Sequence, residues 1–166
     1  MSNLDKEIEK SKKWTIRTLL GKAAKDLQKA IRVEASFLNS QLCVVGGEVV
    51  SVATGYGECA CVTCGAVHHY KNMHAGHFIG SRRASIVLEE VGIHPQCVRC
   101  NAFMSGMPEA YRVYMLHVYG QDVIDHLQFL KNSVSKQWTR EELCAKRIEY
   151  RRRINAALKG SNYRWN

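Results

Sequence analysis

The sequence predicts a mainly α-helical chain folded around a small zinc-stabilised centre that holds short strands, with basic helices on both flanks. Three observations predict it. Apolar residues recur at helical spacing on both sides of residues 54–106 but not within them. The irregular stretch carries two C-x2-C pairs, a constraint that can replace a large apolar face. Charge sits outside it: residues 1–34 hold nine Lys/Arg against five Asp/Glu (+4), 35–135 hold six against seven (−1), and 136–166 hold nine against three (+6).

In order along the chain, residues 15–38 read as a helix, with Ile16, Leu19, Leu20, Ala23, Leu27, Ala30, Ile31 and Leu38 at three- and four-residue steps. Leu42–Val45 and Glu48–Ala53 read as two short strands joined at Gly46-Gly47. Residues 108–119 form a helix opened by Pro108 and closed by Gly120. Residues 121–130 form another, with Val123, Ile124, Leu127 and Leu130 on one side. The last helix starts at a capping box, Thr139 with Glu142, and stops at Gly160. Its apolar face holds Leu143, Cys144, Ile148, Ile154, Ala157 and Leu158. This divides the chain into a basic helical arm (1–41), a metal-bound centre (42–107) and a helical region ending in a basic helix (108–166).

A net charge of +9 over 166 residues points to a polyanionic partner, with DNA first. A hydrophobic content of 46% argues against disorder. No apolar run approaches ~18 residues, so no membrane span is expected. Met1–Glu7 has no apolar stretch of the kind a secretory signal needs.

Cys61-Val62-Thr63-Cys64 and Cys97-Val98-Arg99-Cys100 supply four thiolates, a full tetrahedral shell for one structural zinc. Disulfides are the competing reading, disfavoured because nothing marks the chain as secreted. Cys43, Cys59 and Cys144 are read as ordinary thiols. The loop between the pairs holds His68, His69, His74, His77 and His94. With zinc saturated by sulfur, these imidazoles are free for other work. A phosphodiesterase site needs one neutral His as general base and ligands for a divalent ion. His74, His77 and Asn101 form such a set, the Gly of His74-Ala75-Gly76-His77 letting the chain bend. Arg82 and Arg83 are candidates for the scissile phosphate, and Arg151, Arg152 and Arg153 for backbone phosphates.

Gly57–Gly65, His74-Ala75-Gly76-His77-Phe78, His94–Asn101 and Ser105-Gly106 together resemble the NinG/Rap recombination endonuclease family of lambdoid phages. Ala30-Ile31-Arg32, Ala110-Tyr111-Arg112, Gln137–Glu142 and the closing basic helix fit as well, and the resemblance covers roughly residues 20–159. It implies a ββα-metal (HNH, His-Me finger) centre similar in site to phage endonuclease VII. It further implies metal-dependent cleavage of branched recombination intermediates, such as Holliday junctions and D-loops. His77 then corresponds to the general base, and His74 and Asn101 to ligands of a catalytic Mg²⁺ or Mn²⁺. A homodimer is expected from the two-fold character of a four-way junction. The resemblance also implies work beside phage or host recombination proteins in the cytoplasm of an infected bacterium. HNH cleavage of single-stranded or plain duplex DNA, and a non-catalytic zinc module that only binds DNA, are the alternatives.

This sequence departs from the pattern in two places. The middle Asn of HNH centres, which orients the loop carrying the base, falls at Gly92, and the family's Ser-Gly-Asn is Ser105-Gly106-Met107. Restoring Asn at position 92 is expected to keep or raise activity. The hairpin at 42–53 is expected to be an insertion relative to the family.

Overall fold

The computed structural model describes residues 1–80, 83–133 and 135–160. Among these residues, five helices, α1 (Asn3–Ser11), α2 (Ile16–Ala35), α3 (Pro108–Tyr119), α4 (Gln121–Ser133) and α5 (Arg140–Gly160), surround three two-stranded antiparallel sheets. The sheets pair β1 (Ser40–Val45) with β2 (Glu48–Ala53), β3 (Glu58–Ala60) with β4 (Val67–His69), and β5 (Met73–His77) with β6 (Ile93–Cys97). The fold is thus mixed, with helices dominant and the strands confined to small sheets. No helix among the described residues is long and apolar enough to cross a membrane.

Local signals explain the boundaries. Thr139 and Glu142 close a reciprocal cap on α5: Glu142 N–H donates to Thr139 Oγ1 (3.1 Å) and Thr139 N–H to Glu142 Oε2 (2.8 Å). Gly46 and Gly47 have φ of +62° and +90°, the left-handed pair a two-residue hairpin turn requires. The helix α1 went unseen in the sequence. It has a capping box of its own, Ser2 with Asp5.

One core is shared by α2 and α5, with Leu19, Ala23, Leu27, Ala30 and Val33 against Leu143, Cys144, Tyr150 and Ile154. It reaches into the centre through Leu88 and Ile93. The apolar face of α5 therefore turns through Tyr150 rather than Ile148. Its one charged member is Arg147, only 4% exposed. Arg147 Nη1 meets Glu7 Oε1 at 2.7 Å and its Nε meets Asp26 Oδ2 at 2.9 Å, fastening α1 and α2 to α5. A second core joins Tyr111, Tyr114 and Met115 of α3 and Ile124 and Leu127 of α4 to Val44, Val62, Ile79 and Ile86.

Candidate metal centre and its polar cleft

The first C-x2-C pair sits on a tight turn: Gly65, at φ +74°, donates its N–H to the Cys61 carbonyl at 2.8 Å. The second follows β6 and runs into a short π-helical turn, Arg99–Phe103. Both are held in place by backbone bonds, Val44 N–H to Val62 carbonyl and Val62 N–H to Pro95 carbonyl, each 2.9 Å.

The four sulfurs of Cys61, Cys64, Cys97 and Cys100 all lie within 4.8 Å of one another. Cys64 and Cys97 Sγ are 3.8 Å apart. A tetrahedron with metal–sulfur bonds of ~2.3 Å has edges near ~3.8 Å, so the cluster fits one ion such as zinc. The three other thiols are engaged elsewhere or buried. Cys59 donates to the Arg32 carbonyl (3.2 Å), Cys144 to Ser11 Oγ (3.4 Å), and Cys43 is enclosed next to Gly65.

A polar cleft of about 720 Å³ adjoins this cluster, lined among others by Arg32, His74, His77, Asn101, Ser105 and Gly106. The structure thus gathers the three residues expected together. His74 comes from β5, where it pairs across the strands with Gln96. Asn101 comes from the π-helical turn, one residue past Cys100. Asn101 Nδ2 lies 2.8 Å from His74 Nδ1. Neighbouring ligands on an octahedral ion with ~2.1 Å bonds stand about 3 Å apart, so the pair has the separation of two ligands of one ion. Turning the amide over would put its oxygen, the metal-binding atom, where the nitrogen now lies.

His77 ends β5. Burial pushes its imidazole below the ordinary histidine range, opposed by a hydrogen bond to the Val87 backbone. Its Nε2 is buried with no hydrogen-bond partner among the described residues. A buried nitrogen left with an open lone pair is a common mark of a functional imidazole.

Two residues of the cleft were not expected from the sequence. Arg32 reaches it from α2, its Nη1 donating to the Met73 carbonyl at 2.7 Å and its Nε to the Gln28 carbonyl at 3.1 Å. Gln28, one helical turn earlier, lines the same wall. The only sequence signal for Arg32 was its place at the end of the Ala30-Ile31-Arg32 match.

The expected phosphate ligands fare differently. Arg82 lies outside the described residues. Arg83 Nη1 donates to the Lys131 carbonyl in the last turn of α4 (2.9 Å) and is not among the residues lining the cleft. Arg153 is a strut rather than a free cation: it meets Glu34 at 2.7 Å and Glu90 at 2.8 Å, tying α5 to α2 and to the loop before β6. Arg151 is shared with Glu7 and Asp26, while Arg152 is exposed.

The strand residue before His77, Gly76 of β5, is held by a relay. Tyr111, 1% exposed, donates its O–H to the Gly76 carbonyl at 2.9 Å. That hydroxyl then accepts from His94 Nδ1 (2.9 Å), and His94 Nε2 accepts from Tyr119 O–H (2.9 Å). Each proton along Tyr119–His94–Tyr111–Gly76 is used once if His94 is neutral with its hydrogen on Nδ1. Gly92, in contrast, is buried; its carbonyl accepts from Phe78 N–H at 2.8 Å, and a β-carbon on it would lie 3.3 Å from Leu127 Cδ1. A side chain at position 92 therefore requires the end of Leu127 to shift by a few tenths of an ångström. At the second departure, Met107 holds φ of +51°, a left-handed angle that Asn adopts more readily than Met.

Fold and site define a small helical protein built on a four-thiol metal cluster with a histidine-containing polar cleft beside it. The family described as Bacteriophage Lambda NinG protein matches residues 4–160, and the chain belongs to that family. Protein ninG of Escherichia phage lambda is 33% identical over 95 residues, 57% of this chain and 45% of that protein. Protein ninG of Escherichia phage 933W is 32% identical over 95 residues, 57% of this chain and 46% of that protein. For protein ninG of Salmonella phage P22 the identity is 30% over 95 residues, 57% of this chain and 45% of that protein. The matched stretch thus spans less than half the length of these curated relatives. No solved structure matches the chain.

Proposed function

We propose that the protein is a metal-dependent DNA endonuclease of the ββα-metal (HNH) type, acting on branched recombination intermediates. One observation carries the reading: the His74–Asn101 pair, 2.8 Å apart, opens on the same cleft as His77 and Arg32, beside a thiol cluster fit for structural zinc. The succession β5, β6 and the turn bearing Asn101 supports the ββα assignment.

In this reading His77 takes a proton from the attacking water, and its lowered basicity keeps it neutral and ready near pH 7. Arg32 adds positive potential on the cleft wall, fixed in place by the Met73 and Gln28 carbonyls. His74 and Asn101 would hold Mg²⁺ or Mn²⁺, which would supply stabilisation for the charge gathering on phosphorus and on the leaving 3′-oxygen. Tyr111 holds the end of β5 that leads into His77, the orienting task that the resemblance gives to an Asn. This bond supports the catalytic reading over a non-catalytic binding module. The products carry 5′-phosphate and 3′-hydroxyl ends. The active form is a homodimer, one His77 per strand to be cut, working in the cytoplasm of an infected cell.

The test is a substrate panel. Purified protein with Mg²⁺ or Mn²⁺ is offered a labelled four-way junction, a D-loop, a single strand and a linear duplex of equal length. Preferential cutting of the branched forms is expected. Equal cutting of all four would leave a nuclease without the structural preference, and no cutting with any ion would end the reading.

A further inference from the structure

We propose that the groove between α1 and α5 is a binding track for the sugar–phosphate backbone of DNA, separate from the candidate cleavage cleft. The proposal rests on the preceding reading only for naming the polyanion as DNA. The groove holds about 550 Å³ and shares no lining residue with the cleft. Along α1 it is lined by Asn3, Lys6 and Lys10, and along α5 by Arg151, Arg152 and Lys159.

Its charge is uncompensated. The one carboxylate among the described residues of its walls, Glu7, already meets Arg147 at 2.7 Å and Arg151 at 3.3 Å. Together with Asp26 these four groups form a network of two cations and two anions that is neutral in itself. Lys6, Lys10, Arg152 and Lys159 remain, all exposed and without an ion pair among the described residues. Four like charges facing one groove repel one another, and a polyanion relieves that repulsion.

The spacing and lining favour a phosphate backbone over an acidic protein. Arg152 and Lys159 are seven residues apart on one face of α5, about 10 Å along its axis. That is about three steps of the 3.4 Å rise between phosphates on one strand. The Asn3 side chain adds a neutral donor suited to phosphate oxygens. Among the described residues no aromatic side chain lines the groove, so they offer an anchored protein partner no central pocket. Nothing here reads bases, so the track supplies affinity without sequence preference.

The experiment is the Lys6→Gln, Lys10→Gln, Arg152→Gln triple variant of the full chain, titrated into a fluorescein-labelled 20-base-pair duplex from 50 to 200 mM salt. All three side chains are exposed, so the fold should stand, and circular dichroism with a melting curve confirms it. The expected result is at least a tenfold weaker affinity and a salt slope reduced by ~0.9 per lost contact. Loss of binding with that smaller slope supports the track even if no ion brings cleavage. Unchanged affinity and slope overturn it even if the wild type proves to be a nuclease.

Discussion

Tyr111 donates its hydroxyl proton to the carbonyl of Gly76, across 2.9 Å and 35 positions of sequence, and so fixes the peptide that leads directly into His77. Gly76, Tyr111 and His94 are buried and Tyr119 is half-buried. Tyr111→Phe removes the bond while keeping the ring. It leaves His94 Nδ1 without its acceptor and takes one partner from the Gly76 carbonyl, which costs on the order of 1–3 kcal/mol of stability. Cleavage at saturating DNA should fall while duplex affinity and the pH of half-maximal rate stay unchanged, because Tyr111 positions the base without exchanging protons with substrate. A shifted pH profile would show that it acts chemically instead.

Gly76 has a second constraint. A β-carbon there would stand 1.9 Å from Gln96 Oε1, and Gln96 is itself pinned, its Nε2 donating to Thr63 Oγ1 at 3.0 Å and to the Gly106 carbonyl at 2.8 Å. Gln96 thus ties the first cysteine pair to the cleft floor. Gly76→Ala should destabilise the protein by more than an ordinary surface change, roughly 2 kcal/mol or above. Combining it with Gln96→Ala should return part of that loss. Urea denaturation of both variants measures it, and an unaffected Gly76→Ala would show that Gln96 has room to move.

His94 makes stability depend on pH. Burial pushes its imidazole down to about 4. The groups facing it, Tyr111, Tyr114 and Tyr119, are all neutral in acid, so none compensates a charge. The unfolded chain binds the His94 proton below its ordinary value of ~6.5, whereas the folded chain binds it only below about 4. Stability from this group is therefore constant above pH ~6.5 and falls as pH drops from there to about 4, by roughly 3 kcal/mol. Acid also releases metal from thiolates, in wild type and variant alike. Comparing urea midpoints of wild type and His94→Gln at pH 7 and pH 4.5 isolates the histidine. The variant should lose less stability between the two. Equal losses would contradict the assignment.

Helices with local signals were legible in the sequence, and contacts between distant charges were not. The final helix announces itself in Thr139 and Glu142, and the hairpin turn in Gly46-Gly47. Arg147 and Arg153 look like solvated residues on a basic helix. They are partners of Glu7, Asp26, Glu34 and Glu90, which lie 63 to 140 positions away. No periodicity encodes such pairings. The same holds for the site: the cysteine spacing predicts the cluster, because two close thiols must share an ion, whereas Tyr111 reads as one more apolar residue of α3. Short α1 was missed because only Leu4 and Ile8 mark its buried side.

If His74 and Asn101 hold the catalytic ion as proposed, an ion preference follows. An imidazole at His74 with the Asn101 amide, and no carboxylate among the residues lining the cleft, suits Mn²⁺ better than Mg²⁺. His74→Asp supplies the hard oxygen that Mg²⁺ favours. Cleavage with Mn²⁺ should exceed that with Mg²⁺ in the wild type, and the ratio should narrow in the variant. An unchanged ratio would mean that position 74 does not hold the ion.

Zinc content checks the frame on which all this rests. Elemental analysis should give one zinc per chain in folded protein, with Cys97→Ser losing both metal and fold, because the free energy of binding is folding free energy here. Folded protein without metal would show that the thiols pack as plain hydrophobic groups.

His77→Ala separates a general base of a metal-dependent nuclease from a buried structural imidazole. Single-turnover cleavage of a labelled four-way junction with Mn²⁺ is measured at saturating protein, beside the melting temperature and junction affinity of the same variant. If His77 is the general base, the variant keeps an intact fold and unchanged affinity and its rate is lower by ~10²-fold or more. A rate near that of the wild type, with fold and binding intact, would contradict it.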